Sequence, residues 1–193
     1  YVSVTKSGVV FKDFDGKALD DKGFFNLLKS CGVNYIRIRV WNDPYDANGN
    51  GYGGGNCDIH NAAIIGKLAT NAGMKVLIDF HYSDFFADPG RQNIPIDWAN
   101  YDVEQLKQAI IAHTTDVLSA LKEEGVAPEW IQVGNETRNG MLWPIGQLWD
   151  ENGDKPNGWK NYAAFTTAGY NACKSVFPEA QVIVHIDNAY ENN

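Results

Sequence analysis

Four stretches of the chain share one pattern of apolar and polar positions. Each begins at a Gly or Pro turn, continues as a short hydrophobic run and ends in polar residues. Short runs bounded by turn residues are typical of buried β-strands. The four stretches are CGVNYIRIRVW, AGMKVLIDFHYSD, PEWIQVGNET and PEAQVIVHIDN. A preceding strand at Tyr1-Val2-Ser3 is a weaker prediction.

Helical periodicity fills the intervals between these strands. Apolar residues recur three and four positions apart, and Asp58 stands where a helix N-cap is expected. The predicted helices span residues 20–30, 58–71, 103–124 and 159–176. Strands that alternate with helices form βα units, and successive strands in such units run parallel.

The two faces of the predicted strands differ in polarity. Side chains alternate between the faces of a strand, so Ile36, Ile38 and Val40 share one face while Arg37 and Arg39 share the other. The remaining strands repeat this division, and their polar faces carry Asp79, His81, Gln132, Glu136, His185 and Asp187.

Several sheet architectures have to be weighed against this alternation. An antiparallel sheet with one face in water would show it too, but the intervening helices favour parallel pairing. A doubly wound sheet is disfavoured, because helices on both sides would make both faces apolar. We therefore predict an α/β fold, the (β/α)8 TIM barrel, with helices outside and polar side chains inside. The chain would cover roughly its first five βα units, with the active site at the carboxyl ends of the strands.

Composition narrows the function classes. The chain has 193 residues, 44% of them apolar, and a net charge of −8, which argues against a nucleic-acid partner. It contains no apolar run of about 18 residues and no close-spaced CxxC pair, so we expect no membrane span, metal site or cofactor. Six Trp and nine Tyr would suit a carbohydrate site, although a large core also uses such rings.

One strand ends in an amide and a carboxylate. Asn135 and Glu136 follow the run WIQVG, and Arg37, His81 and His185 should meet them at the same rim. Such a cluster suits a tuned general acid with oriented hydrogen bonds to hydroxyl groups, as in glycoside hydrolysis. The alternative is structural, since a strand-end Glu can cap a helix or pair with an Arg of the next strand.

At these residues the chain resembles glycoside hydrolase family 53, the endo-β-1,4-galactanases. The resemblance lies in GVNYIRIRVWNDP, NGNGYGGGN, DFHYSDFFADPGRQNIPIDW, QVGNETRNGMLWP and HIDNAY, in that order over nearly the whole chain. It implies that Glu136 is the general acid/base. The substrate-binding residues that it implies are Arg37, Trp41, His81, Asn135, His185 and Asp187. Trp143 is a further candidate for stacking on a galactose, with local packing as the alternative.

The chain departs from the family in one respect. Members carry the nucleophile, a second Glu, at the end of the seventh strand, and residues 1–193 contain no such segment. Residues 1–193 are therefore expected to be the N-terminal part of a single TIM-barrel catalytic domain, inactive alone. The remainder of the barrel would come from the same parent chain. The calcium site of bacterial relatives belongs to later loops.

The resemblance implies cleavage of internal β-1,4-galactosidic bonds of (arabino)galactan, a pectin side chain, with retention of configuration. Such an enzyme would be secreted, or lie at the cell surface or in the periplasm. A hypothesis from another class is a non-catalytic galactan-binding fragment or inactive remnant, which would keep the polar rim. A third is another retaining barrel glycosidase, such as a mannanase or xylanase.

Overall fold

The computed structural model describes residues 1–52 and 56–188. Residues 53–55 and 189–193, which include parts of two motifs quoted above, lie outside this description. The helices are α1 Val2–Lys6, α2 Asp21–Ser30, α3 Ile59–Asn71, α4 Val103–Glu123 and α5 Gly158–Val176. The strands are β1 Tyr35–Val40, β2 Lys75–Phe80, β3 Trp130–Val133, β4 Trp149–Asp150, β5 Gly153–Asp154 and β6 Gln181–Ile183.

Three helices begin at an aspartate that caps their first turn. The Asp20 carboxylate accepts from the N–H of Gly23 at 2.7 Å, and Asp58 accepts from the N–H of Asn61 at 2.7 Å. Asp102 forms a reciprocal capping box with Gln105. These bonds satisfy N–H groups that lack a partner within the helix. The predicted starts of α2, α3 and α4 are therefore confirmed to within a residue.

The central sheet is parallel, with strand order β1-β2-β3-β6. Its register places Ile38 beside Ile78, Ile78 beside Ile131 and Ile131 beside Val182. This row lies in the hydrophobic core, together with the buried faces of α3, α4 and α5. The predicted parallel pairing is confirmed, and helices cover the apolar face as far as Val182. The last strand is shorter than predicted, because β6 ends at Ile183, and Val184 and Ile186 are 47% and 51% exposed.

The predicted strand at Tyr1-Val2-Ser3 is wrong. The segment forms the short helix α1, in which the Thr5 hydroxyl donates to the Val2 carbonyl at 3.0 Å. The Tyr1 ring stacks on Phe24, with ring centroids 5.7 Å apart, and this contact fixes the start of α1 on α2. The strands of the described parallel sheet are therefore the four that the apolar and polar pattern predicts.

A small antiparallel hairpin, β4–β5, was not predicted. It lies in the connection between β3 and α5, where Trp149 pairs with Asp154. Its strands have two residues each, so they are too short to show an alternating pattern.

His113 is packed among aromatic rings on the inner side of α4. Its ring meets those of Phe80, Tyr82 and Trp98 edge-on, with centroids 5.8, 6.3 and 6.1 Å away. Its Nε2 atom is buried and has no hydrogen-bond partner among the described residues. Because charging a buried group is unfavourable, burial lowers the pKa of His113 from 6.5 to about 4.

This burial predicts a loss of stability in mild acid. The unfolded chain binds a proton at His113 near pH 6.5, whereas the folded chain does so only near pH 4. The contribution of the neutral imidazole is thus fully present above pH 6.5 and is lost as the pH falls towards 4. In the complete protein, urea unfolding between pH 7 and pH 4 should show a flatter decline for His113→Phe than for wild type. His60→Phe, at an exposed histidine, is the control, and equal slopes for all three proteins would contradict the assignment.

Candidate active site

The chain turns sharply where β3 ends. Gly134 has φ +83° and Glu136 has φ +52°, both in the left-handed region. A Cβ at position 134 would lie 2.7 Å from Cγ2 of Thr137, so this position needs a glycine for both its backbone angle and its space. The turn carries Asn135 and Glu136 to the carboxyl end of the strand.

The backbone of Glu136 is hydrogen-bonded at both its N–H and its carbonyl. Its N–H donates to Nδ1 of His185 at 3.2 Å. The side-chain amide of Gln92 donates to the carbonyl of Asn135 at 2.8 Å and lies 3.3 Å from that of Glu136. The Glu136 carboxylate itself makes no hydrogen bond or ion pair with residues 1–52 or 56–188. It is held through its backbone and remains available to a ligand.

The buried carboxylate of Asp79 lies beside this turn, and both of its oxygens accept hydrogen bonds. Its side chain is 1% exposed. Oδ2 accepts from Arg37 at 2.9 Å and from Nε2 of His81 at 3.1 Å, and Oδ1 accepts from Gln132 at 2.6 Å. A buried charge needs such partners, because isolated burial of an ion is very unfavourable.

The orientation of the Asn135 amide follows from the same network. Its Oδ1 accepts from Arg37 at 2.8 Å and from Gln132 at 3.2 Å, while its Nδ2 donates to the carbonyl of Ala87 at 2.9 Å. Within the described part of the chain, the second N–H of Nδ2 has no acceptor. One donor of a rigidly held amide is therefore left for a ligand.

His81 and Trp41 lie behind the rim. The His81 side chain is 0% exposed, and its Nδ1 accepts from the N–H of Ala87 at 3.0 Å while Nε2 faces Asp79. Both ring nitrogens are thus occupied in the neutral tautomer that carries its proton on Nε2. Trp41 is 1% exposed, with its ring 6.2 Å from that of His81 and 5.4 Å from that of Phe85.

His185 and Asp187 come from the segment after β6 and face the Glu136 turn. The Nδ1 atom of His185 lies 3.0 Å from Oδ1 of Asn135 as well as 3.2 Å from the Glu136 N–H. Unprotonated, Nδ1 accepts from Glu136, and protonated, it donates to Asn135. Asp187 lies opposite Arg138, with Oδ2 3.6 Å from Nε.

Trp143 lies on the loop that follows Glu136 and is partly exposed. Its indole N–H donates to the carbonyl of Asn139 at 2.8 Å, and its backbone N–H donates to the carbonyl of Gln92 at 2.7 Å. The ring is thereby fixed close to the loop that holds the Glu136 backbone.

The structure brings Arg37, His81, Asn135 and His185 together around the Glu136 turn, as the strand pattern predicted. Sequence reasoning did not select Asp79, Gln132, Gln92 or Arg138 as site residues. The alternation of the strands already placed Asp79 and Gln132 on the polar face, so that signal could have found them. No periodic signal marks Gln92, which reaches the site from the long loop after β2.

The described residues lack two further features. Across residues 1–52 and 56–188, no three His, Cys, Asp or Glu side chains are grouped so that they could hold a metal ion. None of the helices in these ranges has the length and apolarity needed to cross a membrane.

Comparison with known proteins identifies relatives over the whole chain. The model of glycosyl hydrolase family 53 matches residues 1–193. An endo-β-1,4-galactanase of Bacillus subtilis is 51% identical over 140 residues, which are 72% of this chain and 32% of that protein. An arabinogalactan endo-β-1,4-galactanase of Thermothelomyces thermophilus is 34% identical over 188 residues, covering 96% of this chain and 51% of that protein.

A solved structure of a family 53 catalytic domain has the same fold as this chain. The catalytic domain of the Ignisphaera aggregans family 53 protein superposes with a TM-score of 0.84 at 38% identity, covering 95% of this chain and 48% of that domain. The predicted TIM-barrel class is therefore confirmed, and the four-stranded parallel sheet is part of such a barrel. The chain spans about half the length of that domain and of the Thermothelomyces protein, and about a third of the Bacillus protein.

The turn at Gly134 can be tested by adding a methyl group. Gly134→Ala should destabilise the complete protein by about 2–4 kcal/mol, because it combines a left-handed alanine with a clash against Thr137. Gly125→Ala is the matched control, since Gly125 has φ +75° and open space around its Cα. It should cost about 1 kcal/mol. Equal losses in urea unfolding would show that the Thr137 contact does not constrain the turn.

Proposed function

The chain belongs to glycosyl hydrolase family 53, and from this premise we propose that the complete protein is an endo-β-1,4-galactanase. It would cleave internal β-1,4-galactosidic bonds of galactan or arabinogalactan with retention of configuration. The observation that carries the proposal is the Glu136 carboxylate, which projects from a turn fixed through its backbone and has no protein partner among the described residues. The names of the similar galactanases support the substrate class.

Glu136 acts as the general acid/base in this mechanism. In the first step its carboxylic acid protonates the glycosidic oxygen, while a second carboxylate attacks the anomeric carbon from the opposite face. The leaving sugar departs with the proton, and a covalent glycosyl–enzyme ester forms. Glu136, now ionised, then removes a proton from the water that hydrolyses the ester.

We propose that the nucleophile lies outside residues 1–193. Asp79 cannot serve, because its buried carboxylate already accepts from Arg37, Gln132 and His81. Asp187 faces Arg138. The relatives are about twice as long as this chain or longer, which leaves room for a second carboxylate on the rest of the barrel. Residues 1–193 are accordingly the N-terminal part of a single catalytic domain.

The other site residues hold the sugar or the acid. The free N–H of Asn135 would donate to the hydroxyl next to the reacting carbon, and His185 and Asp187 would line the first sugar site. Arg37 would lie beneath the reacting centre, where its positive charge would stabilise the ionised nucleophile. His81 and Trp41 were expected to bind the substrate, but both are buried, so we propose that they support this layer from behind. Trp143 offers a ring for a galactose farther along the cleft.

A polymeric substrate of this kind lies outside cells. We therefore propose that the protein works after secretion, or at the cell surface or in the periplasm. Its partner in function is the galactan chain itself.

Replacing the acid tests the mechanism directly. In the complete protein, Glu136→Gln should lower kcat/KM on galactan by about 10²–10⁴-fold, because an amide cannot donate the required proton. The loss should be much smaller for the first step on an aryl galactoside, whose leaving group needs little protonation. Glu151→Gln, at an exposed position of the β4–β5 hairpin, should leave both rates unchanged. Near-normal galactan cleavage by Glu136→Gln would remove Glu136 from this role.

The products test the substrate and stereochemistry. The first oligosaccharides released from β-1,4-galactan should carry the β-anomer, because retaining enzymes hold their carboxylates about 5–5.5 Å apart and react by double displacement. Proton NMR recorded within the first turnovers distinguishes the two anomers. Initial α-products would exclude retention, and faster hydrolysis of mannan or xylan in a parallel panel would exclude galactan as the preferred substrate.

A further inference from the structure

Glu136 has a backbone conformation that its side chain does not favour. Its φ of +52° is in the left-handed region, which is populated mainly by glycine. A non-glycine residue stays there only when the surrounding structure holds it, and such residues concentrate at functional sites. The group that holds this turn therefore determines where the Glu136 carboxylate points.

Gln92 is that group on the carbonyl side of the turn. Its Nε2 lies 2.8 Å from the carbonyl oxygen of Asn135, 3.3 Å from that of Glu136 and 3.2 Å from that of Asp88. Two N–H bonds thus serve three acceptors, two of which belong to consecutive peptide groups at the turn.

The Gln92 side chain is itself tightly held. The residue is 2% exposed, and its own carbonyl accepts from the backbone N–H of Trp143 at 2.7 Å. Its neighbours Asp88 and Arg91 exchange two backbone hydrogen bonds of 2.9 Å, which close the loop that carries it. A buried amide whose donors are all engaged has no N–H left to donate to a substrate.

We propose that Gln92 is a positioning residue for the acid/base Glu136. By donating to the carbonyls of residues 135 and 136, it keeps the turn left-handed and the carboxylate directed at the glycosidic oxygen. This inference rests on the proposed function of Glu136. It predicts a specific kinetic signature, because misdirecting an acid harms only those substrates that need protonation.

The first test compares leaving groups in the complete protein. Gln92→Met keeps the length of the side chain and removes both donors. Its kcat/KM on galactan should fall about 10- to 100-fold, the order expected when a catalytic group is displaced by about 1 Å. Its kcat/KM on a nitrophenyl β-galactobioside, which reports the first step, should stay within about threefold of wild type.

Gln105→Met is the matched control. The Gln105 amide also makes a structural hydrogen bond, accepting from the N–H of Asp102 at 3.0 Å, but it lies in the capping box of α4. This variant should lose thermal stability without changing the ratio of the two rates.

Gln92→Glu provides a second test. It remains valid if the buried position cannot accommodate a methionine without disturbing the fold. The introduced carboxylate cannot donate when ionised, but its protonated form regains one O–H donor. The ratio of variant to wild-type kcat/KM on galactan should therefore rise as the pH is lowered through about 5. A variant that merely perturbs the fold would show no such recovery.

The outcomes separate this inference from the proposed function. Unchanged rates in Gln92→Met, or equal losses on both substrates, would overturn the positioning role. If Glu136→Gln shows the leaving-group signature and Gln92→Met does not, only the role of Gln92 is wrong. If Glu136→Gln retains galactan cleavage, the proposed acid/base role of Glu136 fails and the inference fails with it.

Discussion

The polar interior of this molecule depends on one buried carboxylate. Asp79 lies on β2, shielded from water, and it accepts from Arg37 of β1, Gln132 of β3 and His81 at the end of its own strand. Removing any of these partners would leave a buried charge partly uncompensated, which is strongly unfavourable. The ion therefore ties the side chains of three adjacent strands together, in a register that main-chain hydrogen bonds alone would not make specific.

The donors that satisfy Asp79 also arrange the groups above it. Arg37 and Gln132 each contact Oδ1 of Asn135 as well as the carboxylate, so the amide orientation follows from the charge beneath it. His81 also anchors the β2–α4 loop, because its Nδ1 accepts from the N–H of Ala87. The result is a site whose donors are fixed before a ligand arrives, which is how enzymes stabilise developing charge without reorganisation.

Glu136 is placed differently from its neighbours. They are held through their side chains, whereas Glu136 is held through its N–H and carbonyl, by His185 and Gln92. A carboxylate that has to exchange a proton with a substrate gains from this arrangement, because a strong side-chain partner would compete with the reaction. The left-handed turn after Gly134 makes this possible, since the backbone is hydrogen-bonded while the side chain remains partly exposed.

The parallel sheet, the helices and the polar inner face can be predicted from the sequence alone. These follow from local periodicity and from Asp caps, which act within a few residues, and the family motifs added Glu136 and its neighbours. The α1 helix was missed because it has only five residues, too few to show a clear period, and four of them have hydroxyl or β-branched side chains. Only the folded chain shows that His81 and Trp41 are buried behind the rim. It also shows that Gln92 contacts the turn, which lies 43 and 44 residues farther along the chain. Such contacts depend on how a long loop folds back over the sheet, and no pattern within the loop encodes that path.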